Sequence, residues 1–370
     1  MRMLVVLIAL SVLFIPCAEA EEAAAEFISQ AELEKLQDFS GGYGTEVDVN
    51  EIAQKAARGE VFRFEEILPS IRTAASGAVK DIFGVLSGMT GPVLLLALIG
   101  CVFPGGNGGV GGARFLLVLS LVGMMSGIAL TALNSAAACM ETAREFTDAA
   151  SPVLASLVGA AGMNTSAALV TPASALAANI VEILFSKYGS FACRFALILA
   201  ACGGISAAVD LSAAVAFMRK GVNWCCGLVS TLFAALISMQ NSIAAAADNA
   251  AVRTAKYTVD SLASFIGSGV SDAWGTYVSG VTIAKNAVGV SGAAVLIAAG
   301  LRPVIRIAAS MIALKLVQVF LSAVGEVRAA TAAEQLSGVC QMALALSCGA
   351  ITVAAVLCGA FMLAGKGLFF

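Results

Sequence analysis

The chain has 370 residues, of which 59% are hydrophobic and only 12% are charged. An ordinary soluble domain carries about 25% charged residues, so this composition excludes a soluble enzyme and indicates a polytopic membrane protein. The sequence has no histidine, which excludes Ser-His and Cys-His catalysis and histidine-ligated metal sites. The net charge of the chain is −3, and the sequence has no run of basic residues that would predict nucleic-acid binding.

The first twenty residues have the pattern of an export signal. Arg2 supplies a positive charge, Leu4–Ile15 is an apolar stretch, and residues 18–20 (Ala-Glu-Ala) fit the small-x-small cleavage pattern. We therefore predict a signal peptide over residues 1–20. An uncleaved first anchor is the alternative, although the apolar stretch is short for a spanning helix, which needs about 20 residues.

Residues 21–82 form an acidic segment, with 13 acidic and 6 basic residues, whereas the rest of the chain is slightly basic. This asymmetry predicts a polar segment ahead of a membrane domain that covers residues 83–370. We expect residues 21–82 to be helical and, if the signal is cleaved, to lie outside the cytoplasm.

Apolar segments follow one another from about residue 85, which predicts an all-α, polytopic membrane protein with seven or eight transmembrane helices. The number stays open because residues 151–185 form either two helices (151–163 and 167–185) or a re-entrant hairpin. The polar stretch Glu141–Asp148 is expected to separate two spans. Eight spans with an exported N-terminus agree with the positive-inside rule. The other predicted spans are Val85–Phe103, Phe115–Cys139, Phe195–Met218, Val222–Ala247, Ala287–Leu301, Val304–Val324 and Leu336–Leu363.

Residues 248–285 differ from the spans because they carry several charges. Apolar residues recur there at steps of three, four and seven, which predicts one apolar helical face, with Trp274 and Tyr277 as anchors at the membrane interface. We expect amphipathic helices that lie in the membrane surface or pack on the bundle.

Charges within a membrane are costly, and each is therefore a candidate functional residue. The candidates are Asp210, Arg194, Arg306 and Lys315, with Asp210 as the deepest acid. A substrate or proton path through Asp210 is one interpretation. A structural ion pair, with the basic side chains reaching toward the interface, is the other.

Small residues are expected to hold the spans together, because lipid offers little hydrophobic gain from helix association. Gly123 and Gly127 form one such step, suited to packing within a subunit or between subunits. The Ala-rich faces in 196–216 and 293–313 would serve in the same way. The ten cysteines are irregularly spaced and mostly lie in apolar stretches, which predicts free buried thiols rather than a disulfide framework.

Nucleotide motifs are not convincing in this sequence. Gly106, Gly108 and Gly111 have the spacing of the dinucleotide-binding motif G-x-G-x-x-G. They link two predicted membrane spans, however, and do not lie between a strand and a helix as that motif requires. No phosphate-binding G-x-x-x-x-G-K-[ST] loop occurs. We therefore predict a protein that is not an enzyme, has no cofactor, and takes any energy from a gradient or a partner.

Several stretches of the C-terminal half carry a family resemblance: Val252–Tyr257, Lys285–Gly292, Arg302–Ala308 and Leu314–Leu316. In these stretches and their order, the chain resembles the stage III sporulation protein AE family of endospore-forming bacteria. The resemblance implies a multi-pass protein of the mother-cell membrane around the forespore. It also implies membership of a channel or secretion-like complex linking the two cells, with other membrane subunits and an ATPase subunit as partners. It carries over no catalytic residues.

Two functional hypotheses follow. The first is a non-catalytic membrane subunit of that channel complex. The second is a self-contained secondary transporter, in which Asp210 and either Arg194 or Arg306 would form a site at the middle of the membrane. Asp210→Asn separates them, because it would abolish transport under the second hypothesis and have a mild effect under the first.

Overall fold

The computed structural model describes residues 37, 41, 68–102, 109–160, 168, 171–205, 211–266 and 269–363. The long described ranges are helical throughout and contain no strand. A π-helical segment, Leu184–Gly189, joins the third helix to the fourth. The α-helices are α1 (Leu68–Val102), α2 (Gly109–Ala160), α3 (Thr171–Ile183), α4 (Ser190–Ile205), α5 (Ser212–Ile266), α6 (Gly269–Val324) and α7 (Val327–Leu363).

Six stretches of the described helices are long and apolar enough to cross a membrane, which confirms the helical membrane-protein class. The structure thus has six candidate spans where the sequence predicted seven or eight. They are Ser76–Ile99, Gly111–Ala160, Pro172–Ile205, Ser212–Asp248, Ser279–Val324 and Val327–Met362.

The predicted break at Glu141–Asp148 is absent, because α2 runs through it without interruption. Glu141, Glu145 and Asp148 are exposed on one side of the helix, whereas Phe146 and Thr147 are buried on the other. The charged side chains therefore leave the apolar face intact, and the helix continues through a sequence that looks like a loop.

Two other predicted boundaries are also wrong. Ala287–Leu301 and Val304–Val324 belong to one helix, α6, which contains Pro303 in its interior. Apolar helices of membrane proteins tolerate such prolines when neighbouring helices support the backbone. The predicted span Phe195–Met218 is instead divided between α4, which ends at Ile205, and α5, which begins at Ser212.

Helix α7 lies at the centre of the bundle, packed against α2, α4, α5 and α6, and it is the most buried of the candidate spans. Helix α5 runs parallel to α7, because Cys226 Sγ donates to the carbonyl of Ala345 (3.3 Å) and Asn241 Nδ2 to that of Ala360 (3.0 Å). Helix α6 runs antiparallel to it, and α1 packs mainly on α6.

The turn between α6 and α7 is closed by a Schellman motif. Gly325 has a φ of +83°, its N–H donates to the carbonyl of Ser322 (3.1 Å), and the N–H of Glu326 donates to that of Leu321 (3.1 Å). The Glu326 carboxylate pairs with Arg114 at the start of α2. This ion pair ties the first turns of α2 to the turn that joins the two central helices.

Several predictions lie outside the described residues. These are the signal peptide (1–20), nearly all of the acidic segment before Leu68, and Asp210. The backbone of 248–285 is helical up to Ile266 and again from Gly269, as continuations of α5 and α6. The predicted apolar face of this stretch depends on side chains that are outside the described ones. The eight described cysteines are free, as the sequence predicted, but Cys202 and Cys225 are exposed rather than buried.

Candidate functional site

A buried carboxyl group lies between α2 and α3. Glu182 is 2% exposed, and the Thr147 hydroxyl donates to its Oε1 over 2.8 Å. The same hydroxyl lies 3.0 Å from the carbonyl of Ala143, so its single proton serves one acceptor at a time. Glu182 Oε2 is buried without a hydrogen-bond partner. Buried acids within spans are costly, which makes Glu182 a functional candidate.

The π-helical segment follows Glu182 directly. It begins at Leu184 and ends at Gly189, and it turns Lys187 to the surface while Phe185 is buried. Lys187 follows Glu182 by five residues in the sequence, but the Glu182 carboxyl accepts its hydrogen bond from Thr147. π-Helical turns occur often at functional sites, because they change which side chains face the interior.

The four charged residues singled out from the sequence do not form one site. Arg306 Nε lies 3.8 Å from Asp81 Oδ2 on α1, and the two side chains are 54% and 60% exposed, so this pair contributes little to stability. Lys315 is exposed on α6, and Arg194 is exposed on α4 beside a small void lined by α2 and α7. Asp210 is not among the described residues.

Gly123 and Gly127 make no close helix contact with the described part of the chain. A Cβ atom built at either position would meet nothing within 4 Å. Packing of these glycines against another subunit therefore stays a prediction, whereas close packing inside this chain occurs elsewhere. At Gly204 and Gly300, which lie in the Ala-rich stretches of the sequence, a Cβ would come within 2.5 Å of Ala332 and 2.6 Å of Ile351 on α7.

Two oppositely charged side chains that the sequence placed in an amphipathic surface are buried. Asp248 is 2% exposed at the end of its span, and Lys285 is fully buried near the start of the next. Asn241, which precedes Asp248 on α5, bonds to Ala360, and Gly289, which follows Lys285 on α6, lies close to Met362. Both charges therefore lie near the C-terminal end of α7. Opposite charges at the same height lower the cost of burying either one.

A polar cavity of about 350 Å³ lies between the first turns of α5 and α7. Arg219, Thr331, Glu334 and Gln335 line it. A Cβ at Gly338 would lie 3.2 Å from a guanidinium nitrogen of Arg219, so the missing side chain makes room for the arginine. In the described part of the chain, no cluster of three or more Cys, Asp or Glu side chains could hold a metal ion.

The sequence matches the family described as Stage III sporulation protein AE over residues 48–364. That range includes all six candidate spans, Glu182 and the polar cavity. The chain belongs to the stage III sporulation protein AE family. A relative of the same description, from Bacillus subtilis (strain 168), is 26% identical over 194 residues, which cover 52% of this chain and 49% of the relative.

The chain thus spans about half the length of that curated stage III sporulation protein AE in the aligned region. No solved structure matches the chain. The family membership confirms the resemblance found in the C-terminal half, and the matched range extends it through α1 to α4.

Sequence reasoning missed the polar cavity and the Thr147 contact of Glu182. A signal for Glu182 was visible, because it is a lone acid in the apolar stretch of α3. The sequence contains no comparable signal for the cavity. Arg219 and Glu334 are more than 100 positions apart, and each lies near a helix end where charged residues are common.

Proposed function

We propose that this sporulation protein is a non-catalytic membrane subunit of the channel or secretion-like complex between mother cell and forespore. It would lie in the mother-cell membrane around the forespore, with other membrane subunits and an ATPase subunit as partners. The observation that carries the proposal is the family match over residues 48–364, which includes every candidate span. The sequence has no phosphate-binding loop of its own, which supports an energy source in another subunit.

The outward face of α2 supports an assembly role. Thr131, Asn134, Glu141 and Glu145 follow one another at steps of three, four or seven residues and are all exposed. Gly123 and Gly127 continue the same side of the helix with open space around them. Polar side chains and small residues favour contact with another helix over contact with lipid. We propose that another subunit of the complex covers this face.

The export signal predicted from the sequence supports the delivery of the acidic N-terminal segment across the membrane. Helix α1 begins at Leu68, before its candidate span starts at Ser76, so the end of the acidic segment is continuous with the first span. We propose that residues 21–67 lie outside the mother-cell cytoplasm, where they can contact other proteins of the complex.

Affinity purification from sporulating membranes tests the assembly proposal. The intact chain should retain membrane subunits and an ATPase subunit of the complex. Asn134→Leu should reduce this recovery severalfold at unchanged amounts of the chain, because it removes a polar contact within the span. Ser238→Leu, at an exposed position on α5, is the matched control and should leave recovery unchanged. Recovery of the chain alone from intact membranes would contradict the proposal.

The second candidate function is a secondary transporter. The buried Glu182 favours it, because acids within spans often bind coupling protons or ions. Asp210→Asn remains the discriminating change. The transporter hypothesis requires loss of spore formation with normal protein levels, whereas the channel-subunit proposal expects a spore yield close to that of the unchanged protein.

A further inference from the structure

The polar cavity between α5 and α7 has the chemistry of a ligand site, independent of the assembly role. Arg219 and Glu334 both line it, yet they form no ion pair with each other within 4 Å, nor with any other described residue. An arginine and a glutamate that share a cavity without pairing leave space for a molecule with both an anionic and a cationic group.

The remaining lining atoms select among such molecules. Gln335 Oε1 is buried and lies against Gly203 on α4, so the acceptor that a ligand in the cavity can reach is the exposed carboxylate of Glu334. Glu334 on α7 thus supplies the acceptor and Arg219 on α5 supplies the donor. The cavity volume of about 350 Å³ is at the lower end of the range for small-molecule sites.

The depth of the cavity corresponds to lipid headgroups. Glu334 is seven residues from the start of α7, and Arg219 is seven residues from the start of α5, so each lies about 10 Å from its helix end. The span of α7 has 36 residues, about 54 Å, against a hydrocarbon core of about 30 Å, which places these residues near the headgroup layer. Trp224, 68% exposed one turn deeper on α5, is typical of that interface.

We propose that this cavity binds a phosphoethanolamine headgroup, with Arg219 pairing with the phosphate and Glu334 accepting hydrogen bonds from the primary ammonium. Phosphatidylethanolamine in the surrounding bilayer is the source that the depth favours. A choline headgroup fits less well, because its quaternary ammonium has no N–H to donate to Glu334. A purely anionic headgroup would face Glu334 without a compensating charge.

The test uses the full chain purified in detergent, with dioleoyl lipids added and retention measured by native mass spectrometry. We expect phosphatidylethanolamine to be retained about tenfold better than phosphatidylcholine, the difference that about 1.4 kcal/mol gives. Arg219→Gln should abolish this preference. Glu334→Gln should reduce it while retention of phosphatidylglycerol stays equal or rises. Lys220→Gln, at the adjacent exposed residue outside the cavity, is the matched control and should change nothing.

Gly338→Ala gives a second, charge-neutral variant in case Arg219→Gln fails to fold. Its Cβ would press on the guanidinium at 3.2 Å and should weaken retention of phosphatidylethanolamine without removing a charge. Soluble phosphoethanolamine is tested in parallel by its competition with the lipid. If soluble phosphoethanolamine displaces the lipid from the unchanged protein but not from Arg219→Gln, the cavity binds the phosphoethanolamine group as proposed, and the natural ligand is a soluble molecule rather than a lipid. Equal retention of the two lipids by the unchanged protein, or equal losses in Arg219→Gln and Lys220→Gln, would overturn the proposal.

Discussion

At the scale of single residues, Glu182 tests whether the bundle uses its buried carboxyl chemically. Glu182→Gln keeps the shape of the side chain and can accept the Thr147 hydrogen bond through its amide oxygen. We expect a melting temperature within about 3 °C of the unchanged protein and a normal spore yield, as a non-catalytic subunit requires. Thermal unfolding in detergent and spore counts measure the two quantities.

Two further variants make the Glu182 result interpretable. Glu182→Lys should unfold at a much lower temperature, since it would bury a positive charge beside the neutral Thr147 hydroxyl. Lys187→Gln changes an exposed charge in the segment that follows Glu182 and should be silent in both measurements. If Glu182→Gln folds normally and the spore yield still drops tenfold or more, the carboxyl has a chemical role. That result would favour the transporter hypothesis over the non-catalytic subunit.

At the scale of helices, the sequence predicted which segments are helical and apolar but not where the long helices end. Windows of about 20 apolar residues locate spans because their composition differs from that of loops. The charged turn at Glu141–Asp148 and Pro303 resemble loop signals, yet the charges face outward and the bundle supports the proline. The sequence did not reveal the division between Ile205 and Ser212 for the opposite reason, since residues 206–210 are small or apolar except for Asp210.

The contacts between helices were predictable in type but not in position. Small residues were expected at the interfaces, and Gly204 and Gly300 occupy such places, whereas the conspicuous Gly123 and Gly127 pair faces open space. Spacing along one helix cannot tell which side meets a neighbour in the same chain. The lining of the Arg219 cavity likewise depends on the parallel register of α5 and α7, which only the folded bundle defines.

Alanine at two glycines separates contacts within the chain from contacts between subunits. In Gly204→Ala the new methyl group would lie 2.5 Å from the Cβ of Ala332, which has no rotamer that avoids it. We expect a loss of about 1–3 kcal/mol, measured as a lower melting temperature of the purified chain. Gly123→Ala meets nothing within 4 Å and should leave that temperature unchanged or slightly raised.

The same pair of variants should behave in the opposite way during co-purification. Gly123→Ala should reduce recovery of partner subunits, because the added methyl group keeps a neighbouring helix from approaching closely. A destabilisation by Gly123→Ala equal to that by Gly204→Ala would show that the α2 face is packed within the chain and would remove it as an assembly surface.

At the scale of the whole molecule, six crossings give a topology different from that of eight. The ends of α1, α4 and α6 meet at one end of the bundle, where Arg114 pairs with Glu326. The starts of α1, α3 and α6 and the ends of α2, α5 and α7 lie at the other end. The predicted export signal would place that second end outside the cytoplasm, although Arg253, Lys256 and Lys285 lie toward it and would favour the inside by charge alone.

Reporter fusions in the intact chain decide between the signal and the loop charges. We expect fusions after residues 165, 267 and 370 to show phosphatase activity outside the cytoplasm, and those after 106, 208 and 325 to show cytoplasmic activity. An alternating pattern of reversed sign would keep the six crossings and overturn the exported N-terminus, because the loop charges would then set the orientation. Reporters on the same side after residues 285 and 325, with a reporter on the opposite side after Pro303, would restore the separate spans on either side of that proline and contradict the continuous α6.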